Sequence, residues 1–206
     1  FRPLLNSGKS VAFVVKKGAL TYEKSYKKPE DSGYMSREEI IRCITDVTGE
    51  DIVVSTTGKA SRELFEIREA NGQSHKYDFL TVGSMGHSSS ISLGIALNKP
   101  NSKVWCIDGD GAALMHMGAM AVIGSNKPEN LVHIVINNSA HDTVGGMPTV
   151  AGNIDMVKIA EGCGYETAIR ATNKSELKNV LSNAKKSDKL TFIEVLSDMG
   201  ARDNLG

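Results

Sequence analysis

Short, unbroken apolar runs recur along this chain, each followed by a segment with helical spacing. From residue 51 onward, "DIVVST", "FLTV", "KVWCID", "LVHIVIN", "YETAIRA" and "LTFIEVL" read as strands. Between them, 60–70, 88–97, 112–124, 155–162 and 174–185 read as helices, the last capped by Asn173 or Thr172. Ahead of the first strand, Ser36 and Glu39 form the S-x-x-E pattern of a capping box, opening a helix to about Val47. Strands that are apolar throughout, and are spaced by helices, predict a parallel sheet buried on both sides. The expected fold class is α/β: a doubly wound, mainly parallel sheet with helices on both faces. Residues 139–153 read as a long loop.

The first 35 residues break this pattern. Residues 11–16 read as a strand, and 17–35 form a polar, Gly/Pro-punctuated linker. The expected division is 1–16 as the end of a preceding domain, 17–35 as linker and 36–206 as the α/β domain. Formal net charge is zero over 206 residues, but residues 1–28 carry seven Lys/Arg against one Glu. Those lysines lack aromatic interleaving, so they read as a solvated basic end and not as a nucleic-acid surface. Three widely spaced cysteines, Cys43, Cys106 and Cys163, show no metal-like spacing and read as reduced thiols of a cytoplasmic protein. No apolar stretch reaches the ~20 residues that span a bilayer, and no signal-peptide pattern is present.

Ligands of such sheets bind beyond the carboxyl ends of the strands. Four consecutive strand ends run into small, hydroxyl, carboxylate or carboxamide groups: Thr56-Thr57-Gly58-Lys59, Gly83-Ser84-Met85-Gly86, Asp108-Gly109-Asp110-Gly111 and Asn137-Asn138-Ser139-Ala140. Asp110 and Asn138 are one helix and one strand apart, as in a right-handed crossover. If their strands are neighbours, the two ends lie about 4.8 Å apart and can share one ion. The donors are oxygens, which favours Mg²⁺ or Ca²⁺ over zinc. Gly111-Ala112-Ala113 opens the next helix with side chains small enough to leave N–H groups open to a phosphate. A lone "GDG" is an ordinary tight turn; its interval to "NN" and the upstream "GSMG" point instead to a metal-bound diphosphate. No P-loop occurs, and "GDGAALMHMG" has Leu114 where a dinucleotide fingerprint needs its third Gly.

Gly109-Asp110-Gly111 followed by Asn137-Asn138 resembles the cofactor motif in the diphosphate-binding domain of thiamine-diphosphate-dependent enzymes. The strings "TTGKASRELFE", "GSMGHSSSISLGIAL", "GDGAALMHMGA" and "NNSAHDTVGGMPT" are similar to the phosphonopyruvate decarboxylase branch, with the sulfopyruvate decarboxylases close beside it. The resemblance covers residues 36–206, and residues 1–16 look like the end of a pyrimidine-binding domain. It implies the thiamine-diphosphate-binding fold, with Asp110, Asn138 and the carbonyl of Ala140 as Mg²⁺ ligands. Thr57, Gly58, Lys59, Gly109, Gly111 and Ala112 would meet the diphosphate. Gly83, with Ser84 beside it, would meet the aminopyrimidine, and Met85 would wedge the cofactor into its bent form. Asp108, where a smaller residue is usual, would orient the loop.

His141, following the metal loop, is the expected catalytic, substrate-facing residue. His87 reads as a cap or a substrate contact, His116 as helix packing, His133 as structural and His75 as surface. The implied reaction is decarboxylation of a 2-oxo acid. Its activating Glu lies on a pyrimidine-binding domain of the same or a partner chain, so a homo-oligomer and an inactive isolated chain are expected. A non-catalytic Mg-nucleotide-binding module is the alternative from another class.

Overall fold

The computed structural model describes residues 1–16, 18–20, 32–202 and 204–205, so most of the expected linker lies outside the described residues. Two compact units result, Phe1–Glu30 and Asp31–Gly206. In the first, helix α1 (Arg2–Asn6) starts with proline in its first turn. The strand expected at 11–16 is not formed. Phe13 and Val14 are exposed there, and among the described residues of that unit no strand offers the backbone partners an apolar strand needs.

The second unit holds a six-stranded, wholly parallel sheet. Its strands are β1 (Ile52–Ser55), β2 (Asp78–Leu80), β3 (Val104–Gly109), β4 (Leu131–Asn137), β7 (Thr167–Ala171) and β8 (Thr191–Leu196), in the order β2-β1-β3-β4-β8-β7. A separate antiparallel ribbon joins β5 (Ala140–His141) to β6 (Met147–Pro148) inside the segment read as a loop. Short 3-10 turns at Asp142–Val144 and Val150–Asn153 complete that segment. Among the described residues no helix is long and apolar enough to cross a membrane.

Seven helices cover the sheet: α2 (Arg37–Thr48), α3 (Lys59–Ala70), α4 (Ser88–Asn98), α5 (Asp110–Met115), α6 (Gly118–Asn126), α7 (Met156–Cys163) and α8 (Lys174–Lys186). Alternate residues of each strand serve opposite faces. Trp105 and Ile107 of β3 pack with Ile40, Ile44, Leu64 and Leu181 of α2, α3 and α8. Val104 and Cys106 pack with Leu93, Met120 and Ala160 of α4, α6 and α7. This two-sided burial is why the strands read as continuous apolar runs. The capping box at Ser36 forms in both directions, and Asn173 caps α8 by accepting the Glu176 N–H at 3.0 Å.

The helix expected over 112–124 is two helices. His116 leaves helical geometry at φ −128°, ψ 41°, ending α5. Gly86, in the turn after β2, lies so close to this end that a Cβ there would sit 2.7 Å from the Ala112 carbonyl and 2.6 Å from the His116 ring. Apolar spacing continues across the break, so the pattern alone carried no sign of it. On the same face α6 meets α7 backbone to backbone, and a Cβ on Gly124 would fall 1.8 Å from the Cys163 carbonyl oxygen.

The chain leaves β1 to one side, for β2, and returns on the other side as β3. That reversal opens a crevice beyond the ends of β1 and β3.

Candidate functional site

A cavity of about 270 Å³ occupies this crevice. Thr57, Gly58 and Lys59 line it from the end of β1, and Gly109, Asp110, Gly111 and Ala112 from the end of β3. Met85 enters from the turn after β2, and Asn138, Ala140 and His141 from beyond β4. Eleven of the thirteen residues assigned to the site from the sequence therefore meet in one place, and Asp108 lines the cavity with them. Gly83 and Ser84 stand outside the lining, though the Gly83 N–H donates to Thr57 Oγ1 at 3.1 Å and ties the two turns together.

Glycine is required where backbone or ring atoms crowd the cavity. Gly58 precedes α3 at φ +95°, a left-handed conformation, and no side chain caps that helix. At Gly111 a Cβ would lie 2.5 Å from His141 Cε1 and 3.4 Å from Met85 Cε. The imidazole and the thioether thus converge over the first turn of α5.

Asp110 and Asn138 follow neighbouring parallel strands, with Gly109 opposite Ile136 in register. The Asp110 carboxylate is buried and accepts the Thr149 hydroxyl at 2.5 Å. Burial pushes its pKa above the ordinary value, against the opposing pull of Thr149, backbone N–H groups and nearby His141. Among the described residues no lysine or arginine pairs with it. Asn138 Oδ1 accepts the Ala140 N–H at 3.0 Å, and its Nδ2 donates to Asp142 Oδ2 at 3.0 Å. Ser139, between them, is held at φ +55°.

Several residues of this site were invisible in the sequence. Arg37, the first residue of α2, donates through Nε and Nη2 to Glu63 at 2.7 and 2.8 Å and through Nη1 to Asp142 at 2.9 Å. The same Asp142 oxygen also receives the Asn138 amide. One buried guanidinium therefore braces α3 and the loop after β4 together. Arg37 carries no local signal beyond its place after a helix cap. Thr149 is equally silent, since it reaches Asp110 only because the β5–β6 ribbon folds back.

The other histidines lie outside the cavity lining. His133 is buried in β4, and half-buried His75 stacks on Phe65 with centroids 4.3 Å apart. His87 is the N-cap residue of α4 but makes no side-chain cap; its Nδ1 pairs with the Ser84 carbonyl at 3.1 Å. His116, expected inside a helix, ends α5 instead, with its ring 4.2 Å from that of His87.

Residues 56–195, from the end of β1 to β8, match the family described as "Thiamine pyrophosphate enzyme, C-terminal TPP binding domain". The chain belongs to this thiamine pyrophosphate enzyme family. It is 36% identical over 165 residues to phosphonopyruvate decarboxylase of Streptomyces viridochromogenes, covering 80% of this chain and 40% of that protein. It is 38% identical over 162 residues to the sulfopyruvate decarboxylase beta subunit of Methanocaldococcus jannaschii, covering 78% of this chain and 82% of that one. The chain spans about two fifths of the length of the phosphonopyruvate decarboxylases it matches. A putative thiamin diphosphate-dependent enzyme from Mycobacterium smegmatis shares the fold at TM-score 0.66 and 21% identity, covering 81% of this chain and 32% of that one.

Thiamine pyrophosphate, or thiamine diphosphate, is thus the cofactor of this domain type, and the residues present fit it. A buried carboxylate lacking a cationic partner stands beside a carboxamide and a hydroxyl, an oxygen donor set suited to Mg²⁺. Gly58 and Gly111 keep the floor of the cavity free of side chains.

Proposed function

We propose that this chain supplies the metal–diphosphate half of the active site of a phosphonopyruvate decarboxylase, which yields phosphonoacetaldehyde and CO₂. The observation that carries this reading is the meeting of Asp110, Asn138 and the first turn of α5 around one cavity. Asp110, Asn138 and the Ala140 carbonyl would hold Mg²⁺, and the N–H groups of Gly111 and Ala112, with Thr57, Gly58 and Lys59, would hold the diphosphate. Thiamine diphosphate supplies the carbon nucleophile and electron sink that decarboxylation of a 2-oxo acid needs. The chain's own part is to anchor, bend and shield that group: Met85 packs beside the reacting end, and His141 faces the substrate. Gly83 and Ser84 would contact the aminopyrimidine. Asp108 would orient the turn that carries Asp110.

Sulfopyruvate is the second substrate reading, favoured by the 82% coverage of a beta subunit of similar length. Such a subunit implies a partner subunit that would carry the pyrimidine-binding domain, whereas under the phosphonopyruvate reading that domain would belong to the same chain or to a second copy in a homo-oligomer. Three unpaired cysteines support a cytoplasmic location. The deciding experiment assays the enzyme completed by its pyrimidine-binding domain against a panel of 3-substituted pyruvates. Preference for the phosphonate supports the first reading and preference for the sulfonate the second. Turnover of neither overturns both.

Two further outcomes are expected. The 206-residue chain alone, given Mg²⁺, thiamine diphosphate and phosphonopyruvate, should release no CO₂ until the pyrimidine-binding domain is added. Turnover without that addition would place the cofactor-activating group within these residues. Met85→Ala in the completed enzyme should lower kcat by up to about 10²-fold, because the reactive geometry is lost. Cofactor affinity should change far less, since the diphosphate anchor remains. Met85 is half-buried, so its stability cost should be about 2 kcal/mol at most. A folded variant with parental kcat would remove Met85 from this role.

A further inference from the structure

Three buried polar side chains form one line on the face covered by α4, α6 and α7, and the first of them, Asp108, also lines the cavity. Asp108 of β3, His133 of β4 and Tyr165 before β7 are 1%, 1% and 4% exposed. The Tyr165 hydroxyl is 3.0 Å from His133 Nδ1, and His133 Nε2 is 3.5 Å from Asp108 Oδ2. Asp108 Oδ1 accepts the N–H of Gly109 at 3.0 Å. Phe192 meets both rings nearly edge-on, with centroids 5.5 Å from His133 and 5.7 Å from Tyr165, which fixes their planes. His133 Nε2 and Asp108 Oδ2 have no hydrogen-bond partner among the described residues, so each is left facing the other.

One proton placement along this line satisfies both unpartnered atoms. In it the Tyr165 hydroxyl, which burial keeps protonated, donates to His133 Nδ1. The imidazole then carries its proton on Nε2, directed at the Asp108 carboxylate. The carboxylate's other oxygen holds the backbone of the turn that delivers Asp110.

We propose that Tyr165, His133 and Asp108 form a buried polar relay that positions the backbone of residues 109–111, and through it Asp110. Its consequence for the metal-bound diphosphate rests on the proposed function; the positioning of the turn does not. Asp108 is a positioning residue here, two residues removed from the group it places. A metal is the competing account, because Cys106, Asp108 and His133 offer ligand atoms within 4.8 Å of one another. That account needs a thiolate. Burial and the adjacent Asp108 raise the pKa of the Cys106 thiol, against the pull of Ser92 and Ser88, so a metal would have to displace a tightly held proton, and a zinc assay separates the two accounts.

The test uses the full chain without cofactor and reads two signals by NMR. The ¹⁵N-resolved imidazole signal of His133 should show the neutral form protonated at Nε2. Tyr165→Phe keeps the ring packing and deletes only the hydroxyl, and the Gly109 amide, reached through His133 and Asp108, should then exchange about tenfold faster. A His133 protonated at Nδ1, stoichiometric zinc in the purified chain, or unchanged Gly109 exchange in folded Tyr165→Phe would each overturn the relay. If Tyr165→Phe does not fold, the tautomer in the parent chain decides. In the completed enzyme, Tyr165→Phe should also weaken Mg²⁺–thiamine diphosphate binding about tenfold. A completed enzyme that binds no cofactor, with Gly109 still responding, would overturn the proposed function and leave the relay standing.

Discussion

Asp110→Ala should weaken Mg²⁺-dependent thiamine diphosphate binding by more than about 100-fold, beyond what loss of a ligand's supporting partner typically costs. The carboxylate is the one anionic group in the proposed ligand set, and Mg²⁺ tolerates little change in coordination. The fold should survive, because among the described residues Asp110 is bonded only to the Thr149 hydroxyl and backbone N–H groups and enters no ion pair. Asn138→Ala should act in the same direction and more weakly, about 10–100-fold by the same measure. Its effect is partly indirect, since the Asn138 amide also braces the loop through Asp142. Calorimetric titration of the completed enzyme, with far-UV circular dichroism to follow folding, reads both results. Parental affinity in folded Asp110→Ala would remove the metal from this position.

Arg37→Ala should be strongly destabilising, at about 3–5 kcal/mol in urea unfolding. It would leave the buried Glu63 and the half-buried Asp142 carboxylates without their cation. Arg37→Lys should recover only part of the loss, because an ammonium cannot repeat the two-nitrogen grip on Glu63 while also reaching Asp142. With Asp142 released, Asn138 loses its anchor, so cofactor affinity should fall alongside stability. A change in unfolding free energy under about 1 kcal/mol would mean that the pair is solvated and contributes as a surface bridge does.

The fold was legible in the sequence because continuous apolar strands separated by helices admit few arrangements, and the six strands of the sheet were each placed within a few residues. The cavity was legible because its residues sit at strand ends, where their number along the chain gives their place in space. Three things were not legible. The end of α5 at His116 lies against Gly86 of another turn, a contact no local pattern encodes. The β5–β6 ribbon is two residues per strand, too short to show an alternation. Arg37, Glu63 and Asp142 belong to three elements up to 105 residues apart, so only the folded chain shows that they are one cluster. The strand read at 11–16 failed for the opposite reason: an apolar run states a preference for burial, and without a neighbouring strand that preference is unmet.

The order of the sheet also governs the sequence of events during synthesis. β8, the most C-terminal strand among the described residues, is inserted between β4 and β7. Until residues 191–196 have left the ribosome, β7 has no strand beside it and β4 keeps one edge unpaired. An incomplete chain therefore carries an open, apolar strand edge of the kind that recruits other chains. The aggregation-prone interval ends only with the final strand, and a stop codon just before residue 191 would make that interval permanent. Such a truncated product should retain every residue of the cavity and still be lost to degradation or inclusion bodies.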